Sequence, residues 1–413
     1  MQPNYCPHCW PSKRTAHWDL KLDYYFTRLL EVVDGFVSLF SFRPSRGANR
    51  LSHRLWGWYL EVFAFLGIAK FESNPDLALM NIRGRVFFEE ARRRGLEIWA
   101  VKLLGRKTYS NEFKFRYRGR NYYYESIPLT MRGTSIRIDN KFGVKKLFKK
   151  NGLPVSEGRA FTSKPAGLAY GRQLGFPMVV KPNTGSLAQH VVCNVLDEDE
   201  LGDAIDVARQ YQPKFIVENF LAGGMHRGTV IDRSRVFICL RDRANIVGDG
   251  VSTIRVLMEQ KNSDPRRGEA FDPGASLHKM PFDDITETYL GSQGLGYDSI
   301  PASGEKIFLY PVGKLLPDRG NDIVNFTDAA HPENVELFLE AARLLNTDLV
   351  GIDFVIPDIT QSWRGQVCGI LEANSVPYVD MHTSPSIGQS EPIVELIWDL
   401  ALADLDHASA PLF

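Results

Sequence analysis

Two apolar segments, "VGIDFVI" (350–356) and "VCGILEA" (367–373), flank a short polar stretch, and they constrain the fold more than any other feature of the chain. Their length and β-branched content read as buried strands, and the polar turn between them implies an antiparallel hairpin. The second segment runs on into Asn374, two positions beyond Glu372. Side chains alternate along a strand, so these two point the same way. If the strands pair through residues 357–366, Asp353 sits beside both. Such an all-oxygen triad suits a hard cation such as Mg²⁺, and two adjacent buried carboxylates are costly without one. A strand that simply ends in polar residues is the alternative at this point.

The chain has 413 residues, 44% hydrophobic and 24% charged, which predicts a soluble protein of two or three domains. Formal net charge is zero, so bulk electrostatics recruits neither nucleic acid nor a membrane surface. Residues 101–150 nevertheless hold fourteen Lys/Arg against three Asp/Glu. That excess reads as a solvated basic face or as the neighbour of a polyphosphate. Five cysteines, an odd number at scattered positions, argue for a reducing compartment, the cytoplasm. Cys193, Cys239 and Cys368 lie in apolar runs and read as core. Cys6 and Cys9, in "CPHC", have the spacing of half a zinc site, which would need two more ligands, with His8 and His17 nearby. The N-terminus lacks an uninterrupted apolar stretch, so no signal peptide is expected. "LWGWYLEVFAFLGIA" (55–69) is too short to span a bilayer and reads as a core helix, with a membrane or partner surface as the alternative.

Residues 1–75 are aromatic-rich and carry no usable motif. Residues 76–135 read as a small α/β domain: a helix ended by Gly95, a strand, and a hairpin in "EFKFRYRGRNYYYESIPL" (112–129). A helix follows at 139–152, with Asp139 expected as its cap. Strands at 176–182, 190–196, 214–220 and 235–241, with an amphipathic helix at 197–212, outline a subdomain of about 160–260. A C-terminal sheet of about 300–405 carries the hairpin and a helix at 331–346.

Lys181 ends an apolar strand, where a cation is costly unless paired or bound to an anion. The loop "NTGSLAQH" (183–190) that follows could lay backbone N–H groups over phosphates, or be a plain turn. Lys141 stands near a helix start, where charge and dipole together attract phosphate. "GSQGLG" (291–296) has the wrong spacing for a dinucleotide fingerprint, and no G-x-x-x-x-G-K-[ST] occurs.

Lys141, Lys181 with its loop, "IVENFL" (216–221), "HRGTVI" (226–231), Arg241, "VGDGVSTI" (247–254), "NSDPRRG" (262–268) and "GID…EAN…MH" follow in one order. This order resembles the ATP-grasp superfamily, in the branch of cyanophycin synthetase and the bifunctional glutathione synthetases, over about residues 136–405. The resemblance implies an α+β chain with an ATP-grasp fold, an N-terminal α/β region, a nucleotide-clamping subdomain at about 160–260 and a metal-bearing sheet at about 300–405. It implies a carboxylate–amine ligase that phosphorylates an amino-acid or peptide carboxylate with ATP and Mg²⁺, then lets an amine displace the phosphate. Lys141 and Lys181 would hold ATP phosphates, and the loop with Gly185 and Ser186 would close over them. Glu218, Asn219 and Leu221 would meet adenine, mostly through their backbone. Asp353, Glu372 and Asn374 would bind Mg²⁺, while Arg241 and Arg227 would face the transferred phosphoryl group. Arg266, Arg267 and His382 would contact substrate. Relatives assemble as homo-oligomers, and neither nucleic acid nor a membrane span is expected.

The chain departs from that pattern at Met225, where an acid usually meets the ribose, and in the larger residues Leu187, Ala188 and Gln189 of the loop. It departs again in "GKLLPDRG" (313–320) and at Pro377-Tyr378. It shows no Mur-ligase-like module, so polymerisation of the cyanophycin type is not expected. A nucleotide-binding protein without ligase activity, or an ATP-grasp kinase, is the alternative function.

Overall fold

The computed structural model describes residues 6–9, 16–22, 24–25, 46–129, 138–185, 188–269, 272, 274–312 and 319–409. Strands β1 (Ala69–Glu72), β2 (Glu97–Leu103), β3 (Glu112–Tyr117) and β4 (Arg120–Glu125) form an antiparallel meander in chain order. The β3–β4 hairpin closes on Arg118-Gly119, both at positive φ (47° and 75°), a two-residue turn whose twist matches the strands. The helix Ile82–Arg93 starts on an Asn81 cap and stops before Gly95, as expected.

The N-terminal unit reaches across the expected boundary at residue 76. β1 pairs with β2, and the helix Arg46–Phe65 buries Leu60 against Ala69 and Val101. That helix is one-sided: Trp58 and Phe65 remain 67% and 90% exposed, so the expected core helix is core along a single face. At the other end, the helix Ile393–Ser409 completes the same domain. Ile397 and Trp398 pack among Phe87, Phe113, Phe115 and Tyr124, and the Trp398 indole donates to the Phe87 carbonyl at 3.0 Å.

The subdomain expected at 160–260 divides between two sheets. β5 (Gly158–Phe161), β6 (Met178–Pro182), β7 (Val192–Val195) and β8 (Phe215–Asn219) form one antiparallel sheet in the order β5-β8-β6-β7. β9 (Gly224–Ile231) and β10 (Arg235–Asp242) instead join β15 (Asp322–Asn325), β16 (Leu349–Ile356) and β17 (Gly369–Asn374), in the order β15-β10-β9-β16-β17. β11 (Asn245–Val247) with β14 (Lys306–Phe308), and the short β12 (Arg267–Gly268) with β13 (Leu277–His278), make two small two-stranded ladders.

Alternation decides which residues each sheet offers. In the five-stranded sheet Val230, Ile238, Val350, Ile352 and Phe354 pack against the helices Pro332–Leu345 and Lys141–Lys150. Gly228 leaves space there for the Phe338 ring, which a Cβ would strike. The opposite face therefore carries Arg227, Thr229, Cys239, Arg241, Asp353, Glu372 and Asn374. In the four-stranded sheet Met178, Val180, Phe215 and Val217 face the helices Lys164–Leu174 and Glu198–Tyr211, which leaves Lys181 and Glu218 on the other side. Both polar faces meet in one place. Among the described residues no helix is long and apolar enough to cross a membrane.

Candidate active site

The expected hairpin forms, and its register sets Asp353 opposite Glu372 and Gly351 opposite Asn374. The Asn374 side-chain amide lies 3.5 Å from Glu372 Oε1. Across the other edge of β16, Asp353 is the partner of Arg227 on β9, and the guanidinium grips it at two points: Nε to Oδ1 at 2.5 Å and Nη2 to Oδ2 at 3.1 Å. The buried carboxylate beside Glu372 is thus balanced by an arginine from the next strand.

Lys141 opens its helix under an Asn140 cap; Asp139, expected in that role, instead accepts from the Ser375 N–H and hydroxyl at 3.1 and 2.7 Å. The Lys141 ammonium reaches Glu372 Oε2 at 3.2 Å and donates to the Gly185 carbonyl at 2.5 Å, so it joins the loop to the metal-type face. Lys181 lies 2.8 Å from Glu218 Oε1, and Lys145 grips the other oxygen of Glu218 while donating to Ser156. Lys145 escaped the sequence reading. Its one legible signal is its place four residues after Lys141, on the same buried helical face.

Five basic side chains (Lys141, Lys145, Lys181, Arg227, Arg241) face three carboxylates (Glu218, Asp353, Glu372). Burial alone would raise the Glu372 pKa, but Lys141, Lys181 and Arg227 hold it down to about 2, so it is fully ionised. Burial drives Lys145 down to about 8 despite Glu218. For Lys181 burial also opposes the charge, and Glu218 and Glu372 outweigh it. Arg241 is different. Burial lowers its pKa, Asp353 attracts it only from a distance and Arg227 repels it, and it forms no ion pair with a described residue. The face is short of negative charge where Arg241 stands. It can hold a polyanion, with Asp353, Glu372 and Asn374 offering oxygens to a hard cation between them.

No family model matches the chain. The glutathione biosynthesis bifunctional protein GshAB of Clostridium perfringens is 30% identical over 270 residues, 65% of this chain and 34% of that protein. Cyanophycin synthetase of Crocosphaera subtropica is 31% identical over 276 residues, 66% of this chain and 31% of that protein. The chain therefore spans about a third of the length of the curated relatives it matches. The crystal structure of a bifunctional glutathione synthetase from Pasteurella multocida superposes with a TM-score of 0.60 at 23% identity, covering 79% of this chain and 44% of the other. In sequence and fold the chain is similar to these ATP-grasp synthetases. Its fold is α+β, as the resemblance implied, and its likeness lies in the branch of these two synthetases.

The remaining residues singled out from the ATP-grasp resemblance fall into three groups. Gly185 sits at φ 109° against the Tyr211 ring, and Ser186 lies outside the described residues. Asn219 ends β8 with its side-chain oxygen buried and unbonded, and Leu221 is buried just beyond it. Arg266 is half exposed and pairs with Asp264 at 2.7 Å. Arg267 is consumed by structure: it is buried, pairs with Asp322 at 2.5 Å, and donates to the His278 carbonyl at 2.8 Å. His382 is buried with Nε2 2.8 Å from the Thr229 hydroxyl, two positions along β9 from Arg227. Asp380 was not foreseen. It is buried, burial raises its pKa, and one carboxyl oxygen has no hydrogen-bond partner.

Two buried imidazoles give the fold a defined pH response. Burial lowers His226 to about 4 and His382 to about 3, with Arg227 adding to the second. The unfolded chain protonates histidine below about pH 6.5, whereas the folded chain resists, so acid favours the unfolded state. Each ring should cost about 2 kcal/mol by about pH 5, before Glu372 begins to lose its charge. A thermal midpoint several degrees lower at pH 5 than at pH 7.5, with a smaller drop in His382→Asn, is the expected result. Equal midpoints would contradict it.

Proposed function

We propose that the chain is an ATP-dependent carboxylate–amine ligase that joins amino acids, or extends a short peptide, through an acyl phosphate. The observation that carries this reading is the cationic face of the two sheets, with Arg241 in no ion pair among the described residues beside the oxygen set of Asp353, Glu372 and Asn374. The similarity to GshAB and cyanophycin synthetase supports it.

The donor set fits Mg²⁺, since all three groups offer oxygen and Glu372 is ionised. When bound there, the ion supplies neutralisation of phosphate charge. The protein's own groups do the rest by position and charge. Lys141 and Lys181 hold phosphate oxygens, and the loop that Lys141 ties down through Gly185 shields them from water. The substrate carboxylate attacks the γ-phosphorus in line and ADP leaves; Arg241 stabilises the charge on the transferred group. The amine then attacks the acyl carbon, gives up a proton, and expels inorganic phosphate. The segment from Glu218 to Leu221 would meet adenine, mostly through its backbone, and the Asn219 side-chain oxygen, without a hydrogen bond among the described residues, would be free to accept there.

ADP release from ATP and Mg²⁺, measured with pairs of amino acids and followed by mass spectrometry, tests the reading. ADP formation that needs both partners, yields their combined mass less water, and disappears in Glu372→Ala is the expected result. A second reading, nucleotide binding without ligation, has Met225 in its favour, since no carboxylate stands there for a ribose. ATP binding with no turnover on any amino-acid or peptide pair would favour it and overturn the ligase.

A further inference from the structure

The "CPHC" turn finds its missing ligands in the fold. Cys6, Cys9, His17 and His190 bring one ligand atom each to a single point, all within 4.8 Å of one another. His190 Nε2 lies 3.1 Å from Cys9 Sγ and 3.8 Å from Cys6 Sγ. Bond lengths of about 2.3 Å to sulfur and 2.0–2.1 Å to nitrogen place the corners of a tetrahedron about 3.3–3.8 Å apart, close to these separations. We infer that Cys6, Cys9, His17 and His190 form a zinc site that staples the N-terminal segment to the end of the 183–190 loop.

The donor chemistry selects the metal. Two thiolates and two imidazoles in a tetrahedral set suit zinc and not the hard ion of the oxygen face. Four protein ligands leave no open position, so the site is structural. His8, the other histidine near the turn, is not part of the cluster, although its ring stands 5.7 Å from that of His190.

The surroundings hold the ligands as a zinc site requires. His190 Nδ1 lies 2.7 Å from the Val207 carbonyl; donation there leaves Nε2 with its lone pair toward the sulfurs. The Cys9 N–H donates to the Cys6 carbonyl at 3.2 Å and closes the turn. The His190 N–H donates to the His8 carbonyl at 3.1 Å, and the Gln189 amide to the Cys9 carbonyl at 3.1 Å. His17 sets its ring edge against His190, 4.9 Å between centroids at 88°. Both cysteines are free thiols, Cys9 buried and Cys6 half-buried.

The position of the staple gives it a consequence. The loop is fixed at one end by Lys141 on the Gly185 carbonyl and, with zinc bound, at the other by His190. Through Val207 and the Tyr211 ring, 5.5 Å from His190, the metal also bears on the helix beneath that loop.

Metal analysis of the untagged full chain, purified in reductant without chelator, tests the assignment independently of the ligase reading because it needs no activity. About one zinc per chain is expected, falling below about a tenth in Cys9→Ser and in His17→Ala. His17→Cys keeps a complete ligand set and should keep the zinc, which separates loss of a ligand from loss of folding. Cobalt exchanged into the parent chain should show thiolate-to-metal charge transfer with tetrahedral ligand-field bands. A zinc-free chain that fails to take up added Zn²⁺ with both thiols reduced would overturn the inference. So would a Cys6–Cys9 disulfide found by mass spectrometry, or zinc retained at parent level in both Cys9→Ser and His17→Ala.

Discussion

Replacing Glu218 with glutamine is expected to cost the folded state about 3–5 kcal/mol. The side chain is 1% exposed and balances two buried ammonium groups, Lys145 and Lys181. The amide would keep the shape and remove the charge, leaving both cations to repel each other in a site that water does not reach. Lys145 has already been driven to about 8 by burial and would shed its proton first, which caps the loss. Urea unfolding reads the effect as a lower midpoint at unchanged slope. Glu218→Gln combined with Lys145→Met removes one stranded cation and should recover about 1–2 kcal/mol, a coupling that the double-mutant cycle isolates. A single variant within about 0.5 kcal/mol of the parent would show that solvent, not Glu218, balances these lysines.

This cluster also shows what the sequence could and could not disclose. Asp353, Glu372 and Asn374 were legible because strand alternation and a short connection are local, and the register places them as that logic requires. Lys181 was legible as a cation ending an apolar strand. Glu218 drew notice for a place near adenine, mostly through its backbone, and nothing local showed that its side chain is the counter-charge of two lysines, one from a helix 73 residues earlier. No periodicity reports a contact of that separation. The same limit hid the division of the expected 160–260 subdomain: β9 and β10 look like further strands of the first sheet, and only pairing with β16, more than a hundred residues on, assigns them elsewhere. "CPHC" was visible as half of a metal site, but His190 joins it from 181 residues beyond Cys9.

The resemblance gave Arg241, and after it Arg227, one role at the phosphoryl group, and the structure separates them. Arg227 is committed to Asp353 through two hydrogen bonds, so Arg227→Met should lose stability and turnover together, with Asp353 left buried and unbalanced. Arg241 bears the cost of desolvation with no ion pair among the described residues to offset it, in the field of Arg227. Arg241→Met should therefore leave the unfolding free energy within about 0.5 kcal/mol of the parent, or raise it, while ADP release slows about 10²–10³-fold. That combination is the mark of a group kept for a charge that arrives with the substrate. Measuring turnover and urea unfolding on the same preparations distinguishes the cases. If Arg241→Met lost stability in proportion to activity, Arg241 would be a structural residue like Arg227, and the cation excess of the site would no longer argue for a bound polyphosphate.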